Sequence, residues 1–383
     1  MFKKNIYLLL SIFFNILKFI KTKILKWGYG DTFVGYLLEK TSYNYLADLF
    51  KLTSANYIFV TGTNGKTSTT SLFYHFLSNL GYSCYTNKTG SNLYRGILSF
   101  LLLNYFHFYK KNPDYIIIEV DEGSVPLILK SFPKKRSFNF VLLNLSRDQL
   151  DRFGEIDILA NNIISSLQRF NSKQIAFVTD IKSPNLSSFS YFKKNSLPLV
   201  TPSKDLVESL NIKKYPHLVK NLSFVLSILK NNNINVEGFS VPFSLVEGRG
   251  SIYKINNTFV EVHLTKNPKS FDNNLKILVS KPKVKNVLIL VNDFIPDGRD
   301  VSWFYDIDRN LLKKTLEKKN TLVGGSRSLD FCNMLNIYGI SYINIHTFKN
   351  LKKICNLLDI DNLFVLSNYS ATQEFVKFLK KNV

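Results

Sequence analysis

Cysteine is scarce: Cys84, Cys332 and Cys355 are the only three in 383 residues, and they lie far apart with no CxxC pair. That spacing excludes a disulfide framework and a zinc ribbon, and it suits a reducing compartment. Histidine is also sparse. His75, His107, His217, His263 and His346 never fall at the spacing that sets two metal ligands on one helix face, so they read as ordinary core or surface residues. No uninterrupted apolar run reaches the roughly 20 residues that a spanning helix needs, and no internal repeat is visible. Acidic residues number 28 against 50 Lys and Arg, a formal charge of +22. Such an excess suits a polyanionic partner. The lysines are scattered, however, and lack interleaved aromatic platforms, so compositional drift toward Lys, Asn, Ile and Phe explains the charge and no nucleic-acid partner is expected.

What the chain does have is core material: 45% of it is hydrophobic, and its length allows two or three domains. Buried strands are expected at Tyr57 to Thr61, Tyr115 to Val120, Phe140 to Leu145 and Ile175 to Thr179, with helical stretches between them. This alternation indicates an α/β fold with a mostly parallel sheet covered by helices. Lys182 to Lys204, rich in Ser, Asn, Lys and Pro, reads as a loop or eroded insertion. A helix over His217 to Lys230 leads to Val246-Glu247-Gly248-Arg249-Gly250, whose glycines suit a hinge. Further strands at Asn286 to Val291, Thr321 to Val323, Tyr342 to Ile345 and Leu363 to Ser367 make a smaller Rossmann-like domain. The expected organisation is an N-terminal helix in 1–30, a central domain in 31–246 and a C-terminal domain in 247–383.

Between the strand ending at Thr61 and the helical stretch from Ser68 to Leu80 lies Gly62-Thr63-Asn64-Gly65-Lys66-Thr67-Ser68. It is a P-loop in its proper strand-loop-helix setting. A triphosphate needs inward-turned N–H groups, which demand glycine at the tight bends, and it gains from the positive end of the following helix. Lys66 can reach the β- and γ-phosphates of ATP, and the Thr67 hydroxyl can complete the oxygen shell of Mg²⁺. The strand ending Ile118-Glu119-Val120-Asp121-Glu122-Gly123 brings carboxylates to the same edge of the sheet. Glu119 is the expected second Mg²⁺ ligand and Glu122 the alternative, since strand periodicity does not decide between them. A dense charged cluster, Ser146-Arg147-Asp148-Gln149-Leu150-Asp151-Arg152-Phe153-Gly154-Glu155, follows the next strand.

Residues 1–30 differ from the rest. Lys3 and Lys4 precede an apolar run from Ile6 to Ile20, interrupted by Asn15 and Lys18. No small-residue cleavage site follows and a nucleotide site belongs in the cytosol, so export is not expected. Ile6, Leu9, Phe13, Leu17, Ile20 and Ile24 fall near one helical face, with Lys18, Lys21, Lys23 and Lys26 beside it. Two readings stand: residues 1–26 lie in a membrane interface, or the helix packs on the first domain. The expected location is cytoplasmic, at the inner face of the plasma membrane under the first reading.

The loop GTNGKTS, followed by EVDEGS and LNLSRDQLDRFGEID, resembles the Mur ligase superfamily. RDQLDRFGEID, KNP at Lys266 to Pro268 and NDFIPDGRDVSWFYD from Asn292 to Asp306 narrow the resemblance to MurT-type synthetase subunits of lipid II isoglutaminyl synthase. That resemblance implies ATP-dependent amidation of the D-glutamate α-carboxylate in the lipid II stem peptide, by way of an acyl phosphate. It also implies that Lys66 and Thr67 hold phosphate and Mg²⁺, that Glu119 is the metal carboxylate, that Asn221 contacts adenine, and that Arg249 is a hinge arginine reaching the phosphates. Asp300 would lie at the interface with a glutaminase and orient its catalytic histidine. Three departures accompany the match. Gln149 and Ile163 stand where amino-acid-adding Mur ligases carry histidine and a carbamylated lysine. Cysteines for the zinc ribbon common in MurT proteins are missing, so no zinc site is expected. Leu218 stands where a first adenine-motif asparagine is expected.

A class I glutaminase needs a cysteine on a Gly-flanked elbow beside an activating histidine. Cys84 sits in Tyr82-Ser83-Cys84-Tyr85, and Cys332 and Cys355 sit in apolar helical runs, so none has that setting. Ammonia would then come from a separate, GatD-like partner docked near Asp300. Two alternatives remain open: an amino-acid-adding ligase of the Mur or folylpolyglutamate type, and a nucleotide-binding scaffold without turnover.

Overall fold

A computed structural model gives the fold and describes all residues except 1, 21–31, 42, 88–90, 146–155, 214, 245–247, 256–257, 295–296, 298–299, 346–360 and 383. The chain divides into two compact units, Met1–Phe243 and Ser244–Val383.

The first unit is built on a five-stranded sheet. Its strands are β1 (Asn56–Thr61), β2 (Cys84–Thr86), β3 (Tyr115–Glu119), β4 (Phe138–Leu142) and β5 (Ile175–Thr179), in the order β2-β3-β1-β4-β5. All four pairings are parallel. Every residue of β3 and β4 is buried, as continuous apolar runs must be in a parallel sheet with helices on both faces. β1 is central, so the loop leaving it opens in the middle of the sheet edge. An aromatic cluster holds that strand. Phe50, Tyr57, Phe59, Phe132, Phe138 and Phe170 meet mostly edge to face, with centroids 5.1 Å apart for Phe50 and Phe132 and 5.0 Å for Phe138 and Phe170. Arg136 stacks 4.8 Å over the Tyr57 ring and donates to the carbonyls of Phe50 at 2.6 Å, Thr53 at 2.5 Å and Ala55. It thereby closes the end of the helix Tyr45–Leu52 and sets where β1 begins.

The second unit carries a six-stranded sheet. Its strands are β6 (Arg249–Ile255), β7 (Thr258–Leu264), β8 (Asn286–Leu290), β9 (Asn320–Gly324), β10 (Ile343–Asn344) and β11 (Asn362–Ser367), in the order β10-β9-β8-β11-β7-β6. All pairs are parallel except the β6–β7 hairpin. One face buries Val262, Leu288, Val365 and Phe375. Away from that cluster, Phe271, Phe304 and Phe331 interlock, with Phe304 and Phe331 centroids 5.0 Å apart.

The α/β architecture matches the sequence reading, with local corrections. The expected strand Phe140 to Leu145 begins two residues earlier and ends three earlier, at Leu142, beyond which the Leu143 N–H still donates to Thr61 O at 3.0 Å beside the loop after β1. The β6–β7 hairpin is missing from the expected strands, and only Arg249 and Gly250 of it fall in the expected glycine hinge; Ile252 and Phe259 point outward, 58% and 50% exposed, and mask its alternation. Lys182 to Lys204 is not simply loop: short helices Pro184–Ser187 and Ser190–Asn195 bury Leu186 and Phe192 completely. The first helix, Phe2–Phe19, packs on the first unit through Tyr7, Ser11 and Phe14, while Ile6, Leu9, Phe13 and Ile20 of the expected face are exposed.

Candidate active site

Gly62 to Ser68 run from the carboxyl end of β1 into the helix Lys66–Asn79. Gly62 has φ +129° and Gly65 φ +94°. A Cβ at Gly62 would stand 2.9 Å from the Asn144 carbonyl oxygen, and one at Gly65 would stand 3.1 Å from both polar atoms of the Asn221 amide. Left-handed backbone and close approach together exclude a side chain at either position.

Asn144 clamps the loop. The Thr63 N–H donates to the Asn144 carbonyl at 2.9 Å. The Asn64 N–H donates to Asn144 Oδ1 at 3.0 Å, and Asn144 Nδ2 returns a bond to the Asn64 carbonyl at 2.8 Å. The sequence reading placed Asn144 inside a strand and gave it no role. Its signal was a polar residue breaking an apolar run beside the central strand.

Lys66 is the first residue of the helix and only 6% exposed. Its Nζ donates to the Gly62 carbonyl at 2.6 Å and to Glu122 Oε2 at 2.9 Å. Burial disfavours the charge, but Glu122, Glu119 and Asp121 outweigh it and hold the ammonium above its ordinary pKa. One cation among three carboxylates leaves a surplus of negative charge suited to a divalent cation. Glu119 ends β3 opposite Val60 of β1, at the same sheet edge as the loop. Its Oε1 accepts from Asn92 Nδ2 at 3.1 Å, and the Asn87 side chain pins its backbone at 2.8 and 2.9 Å. Glu122, by contrast, is engaged with Lys66. Thr67 is half-buried in the first helical turn and Ser68 is buried. Among the described residues no three His, Cys, Asp or Glu side chains converge as a metal cage. Mg²⁺ held mainly through phosphates needs only one or two protein oxygens, and Thr67 and Glu119 fit that requirement.

Asn221, on the helix Pro216–Asn231, is buried with its amide against Gly65. Leu218, one turn earlier, is in the core at 2% exposure. Ile163 is fully buried in the helix Ile156–Leu167. Gln149 and the rest of residues 146–155 lie outside the described residues, as do Val246, Glu247 and Cys355.

Arg249 and Asp300 belong to the second unit. Arg249 begins β6 opposite His263, at a bulge flanked by Gly248 and Gly250 with φ +74° and +90°. Asp300 is exposed, and its Oδ1 accepts the Ser302 N–H at 2.8 Å. The Ser302 hydroxyl and N–H hold its carboxyl below the usual range. The turn Ser302–Asp306 that follows is anchored by Phe304, 1% exposed. Three residues before Asp300, Asp297 accepts the Ser370 N–H at 2.9 Å and the Ser370 hydroxyl, while burial pushes its carboxyl pKa up. The loops leaving β8 and β11 are stitched together beside it. The Asn292 N–H donates to Asn368 Oδ1 at 3.1 Å, and Asn368 Nδ2 donates to the Asn292 carbonyl at 2.6 Å. The sequence reading named the Asn292 to Asp306 segment without this stitch, because its partner lies far along the chain.

Of the two described cysteines, Cys84 is half-buried with its thiol pushed up to about 12 by burial, and Cys332 is buried with its thiol also raised. Neither has the lowered pKa of a nucleophile.

Residues 60–241 match the family model for the Mur ligase middle domain, and residues 264–372 match that for the MurT ligase C-terminal domain. The chain is 26% identical over 334 residues to the lipid II isoglutaminyl synthase (glutamine-hydrolyzing) subunit MurT of Staphylococcus aureus, covering 71% of this chain and 75% of that protein. It is 23% identical to the Streptococcus pneumoniae subunit of the same name, over 92% and 93% of the two chains. Among solved structures it resembles MurF ligase from Thermotoga maritima in complex with ADP, with a TM-score of 0.63 at 15% identity over 91% of this chain and 85% of that one. It also resembles E. coli FolC in complex with ADP, with a TM-score of 0.59 at 14% identity over 88% and 92%. The P-loop thus lies in a Mur ligase middle domain and Asp300 in a MurT-type C-terminal domain, the pairing of domains that the chain shares with its MurT relatives.

Proposed function

We propose that this ligase is the synthetase subunit of a two-subunit lipid II isoglutaminyl synthase of peptidoglycan biosynthesis. It binds ATP at Gly62 to Ser68, with Asn221 contributing to the nucleotide site. It transfers the γ-phosphoryl group to the α-carboxylate of D-glutamate in the stem peptide; ammonia then displaces phosphate from the acyl phosphate, giving D-isoglutamine, ADP and phosphate. A carboxylate is a poor electrophile, so phosphoryl activation is what the chemistry requires. Lys66 stabilises charge on the moving phosphoryl group, and Thr67 and Glu119 would hold Mg²⁺, which neutralises phosphate oxygens when bound. The observation that carries the reading is the buried Lys66 among carboxylates beside a glycine loop, in a chain whose other domain is of MurT type.

Ammonia would come from a separate GatD-like glutaminase, since neither described cysteine is an activated thiol. The names of the relatives, subunits of a glutamine-hydrolysing synthase, support that division. Buried Ile163 disfavours amino-acid addition, which in resembling ligases uses a carbamylated lysine near that position. Supplying lipid II and ATP with either ammonium or free amino acids, and weighing the product, separates the readings. Amidated lipid II from ammonium supports the proposal; product from an amino acid and none from ammonium overturns it.

A further inference from the structure

The first helix, Phe2–Phe19, has two apolar faces, and among the described residues only one of them is packed against the rest of the unit. Its inward face is locked in roll. The Tyr7 hydroxyl donates to Asp48 Oδ2 at 2.9 Å, and Lys3 Nζ donates to Asp48 Oδ1 at 2.8 Å. Asn15 Nδ2 and the Ser11 hydroxyl donate to the Leu103 carbonyl at 2.8 and 3.3 Å. Asp48 is buried, and burial raises its pKa, but its three donors Lys3, Tyr43 and Tyr7 outweigh that and keep the carboxylate charged. A helix fixed in this way presents a definite outer face.

That outer face is Phe2, Ile6, Leu9, Phe13 and Ile16, continued by Ile20 just past the helix end, at the three- and four-residue spacing of one helical stripe. Phe2 is 82% exposed, Leu9 67% and Phe13 54%. An apolar stripe of that length marks a surface meant to be covered. Charge says by what. Residues 1–30 contain six lysines and no acidic residue, the first being Asp31. Lys4 is exposed, and Lys110 and Lys111 are exposed at the end of the helix Tyr94–Lys110, where the Tyr109 hydroxyl donates to Asn5 Oδ1 at 3.3 Å. Among the described residues no helix is long and apolar enough to cross a membrane.

We propose that this face docks on an anionic lipid bilayer, its apolar side chains entering the interface while the exposed Lys4, Lys110 and Lys111 meet lipid phosphates. The inference goes beyond the ligase reading and is tested without nucleotide or peptidoglycan precursor, so either can fail alone. The full chain is floated with vesicles of phosphatidylglycerol and phosphatidylcholine, and with vesicles of phosphatidylcholine only. Wild type is expected to float with the anionic vesicles, less so as salt rises, and to stay behind with the neutral ones. Leu9→Gln/Phe13→Gln should lower the bound fraction about tenfold, with an unchanged far-UV spectrum. Should that variant misfold, Lys4→Gln/Lys110→Gln, which keeps every side chain of the outer apolar face, should still weaken binding several-fold. Equal flotation of wild type and variants, equal binding to neutral vesicles, or no binding by wild type overturns the proposal. So does a wild-type dimer that Leu9→Gln/Phe13→Gln dissociates without any vesicle binding, since the occupant is then a second copy of the chain.

Discussion

Lys66 Nζ lies 2.9 Å from Glu122 Oε2, and the two side chains are 7% and 10% exposed. A buried pair of this kind gains little over an apolar pair, but removing one partner strands the other charge. Lys66→Met and Glu122→Gln are each expected to lower stability by about 3 kcal/mol. The double variant should recover part of that loss, a coupling of about 1–3 kcal/mol in a denaturation cycle. Strictly additive losses would show that the pair does not act as one.

Asn144 holds the P-loop backbone through its side chain and its carbonyl. Asn144→Ala keeps the carbonyl bond to Thr63 and loses both bonds to Asn64. At about 1 kcal/mol per hydrogen bond, ADP affinity measured by calorimetry should fall roughly tenfold, with the thermal midpoint falling modestly. Unchanged affinity would mean that the loop holds its shape without the clamp.

Much of the site was legible in the sequence because its pattern is local. Gly62, Gly65, Lys66 and Thr67 are read from spacing, since the strand-loop-helix unit that shapes them is contiguous. Asn144 and the Asn292–Asn368 stitch were not legible, as each joins segments about 80 residues apart. The sequence leaves Glu119 and Glu122 as alternatives, and period-two alternation does not reveal that Glu122 is the carboxylate that meets Lys66. The parallel strands were found as apolar runs, whereas the β6–β7 hairpin was missed because Ile252 and Phe259 face outward. The first helix was legible as amphipathic. That it has a second apolar face, packed through Tyr7 and Phe14, emerges only from its contact with the helix Tyr94–Lys110.

His263 is 2% exposed, stacks 4.4 Å from the Phe364 ring and contacts Glu261 Oε1 at 2.9 Å. Burial lowers its pKa below 6.5, more than Glu261 raises it. The folded chain then resists a proton that the unfolded chain accepts, so stability is full above 6.5 and declines as pH falls. Glu261 acts in the same direction at lower pH: burial raises its pKa, but His263 and Lys281 more than offset this and hold it below 4.5. The urea midpoint should drop between about pH 7.5 and 5.5, and His263→Gln should flatten that slope. An equal slope in the variant would assign the acid sensitivity elsewhere.

Asp300 is exposed, ionised and fixed by Ser302 and the Phe304 plug. Asp300→Asn should cut glutamine-dependent amidation about a hundredfold or more in the assembled complex, as loss of a histidine-orienting carboxylate does. Ammonia-dependent amidation should stay within about twofold of wild type. Equal loss of both activities would place Asp300 in the synthetase reaction rather than at the glutaminase.

The most direct test omits the glutaminase: purified chain, lipid II, ATP, Mg²⁺ and ammonium, with ADP and amidated lipid II counted together. Wild type should yield one ADP per amide, and Lys66→Met should reduce both by at least about a hundredfold. Amide formation that survives Lys66→Met, or wild-type protein that binds ATP yet releases neither product, would contradict a phosphoryl-activating site at Gly62 to Ser68.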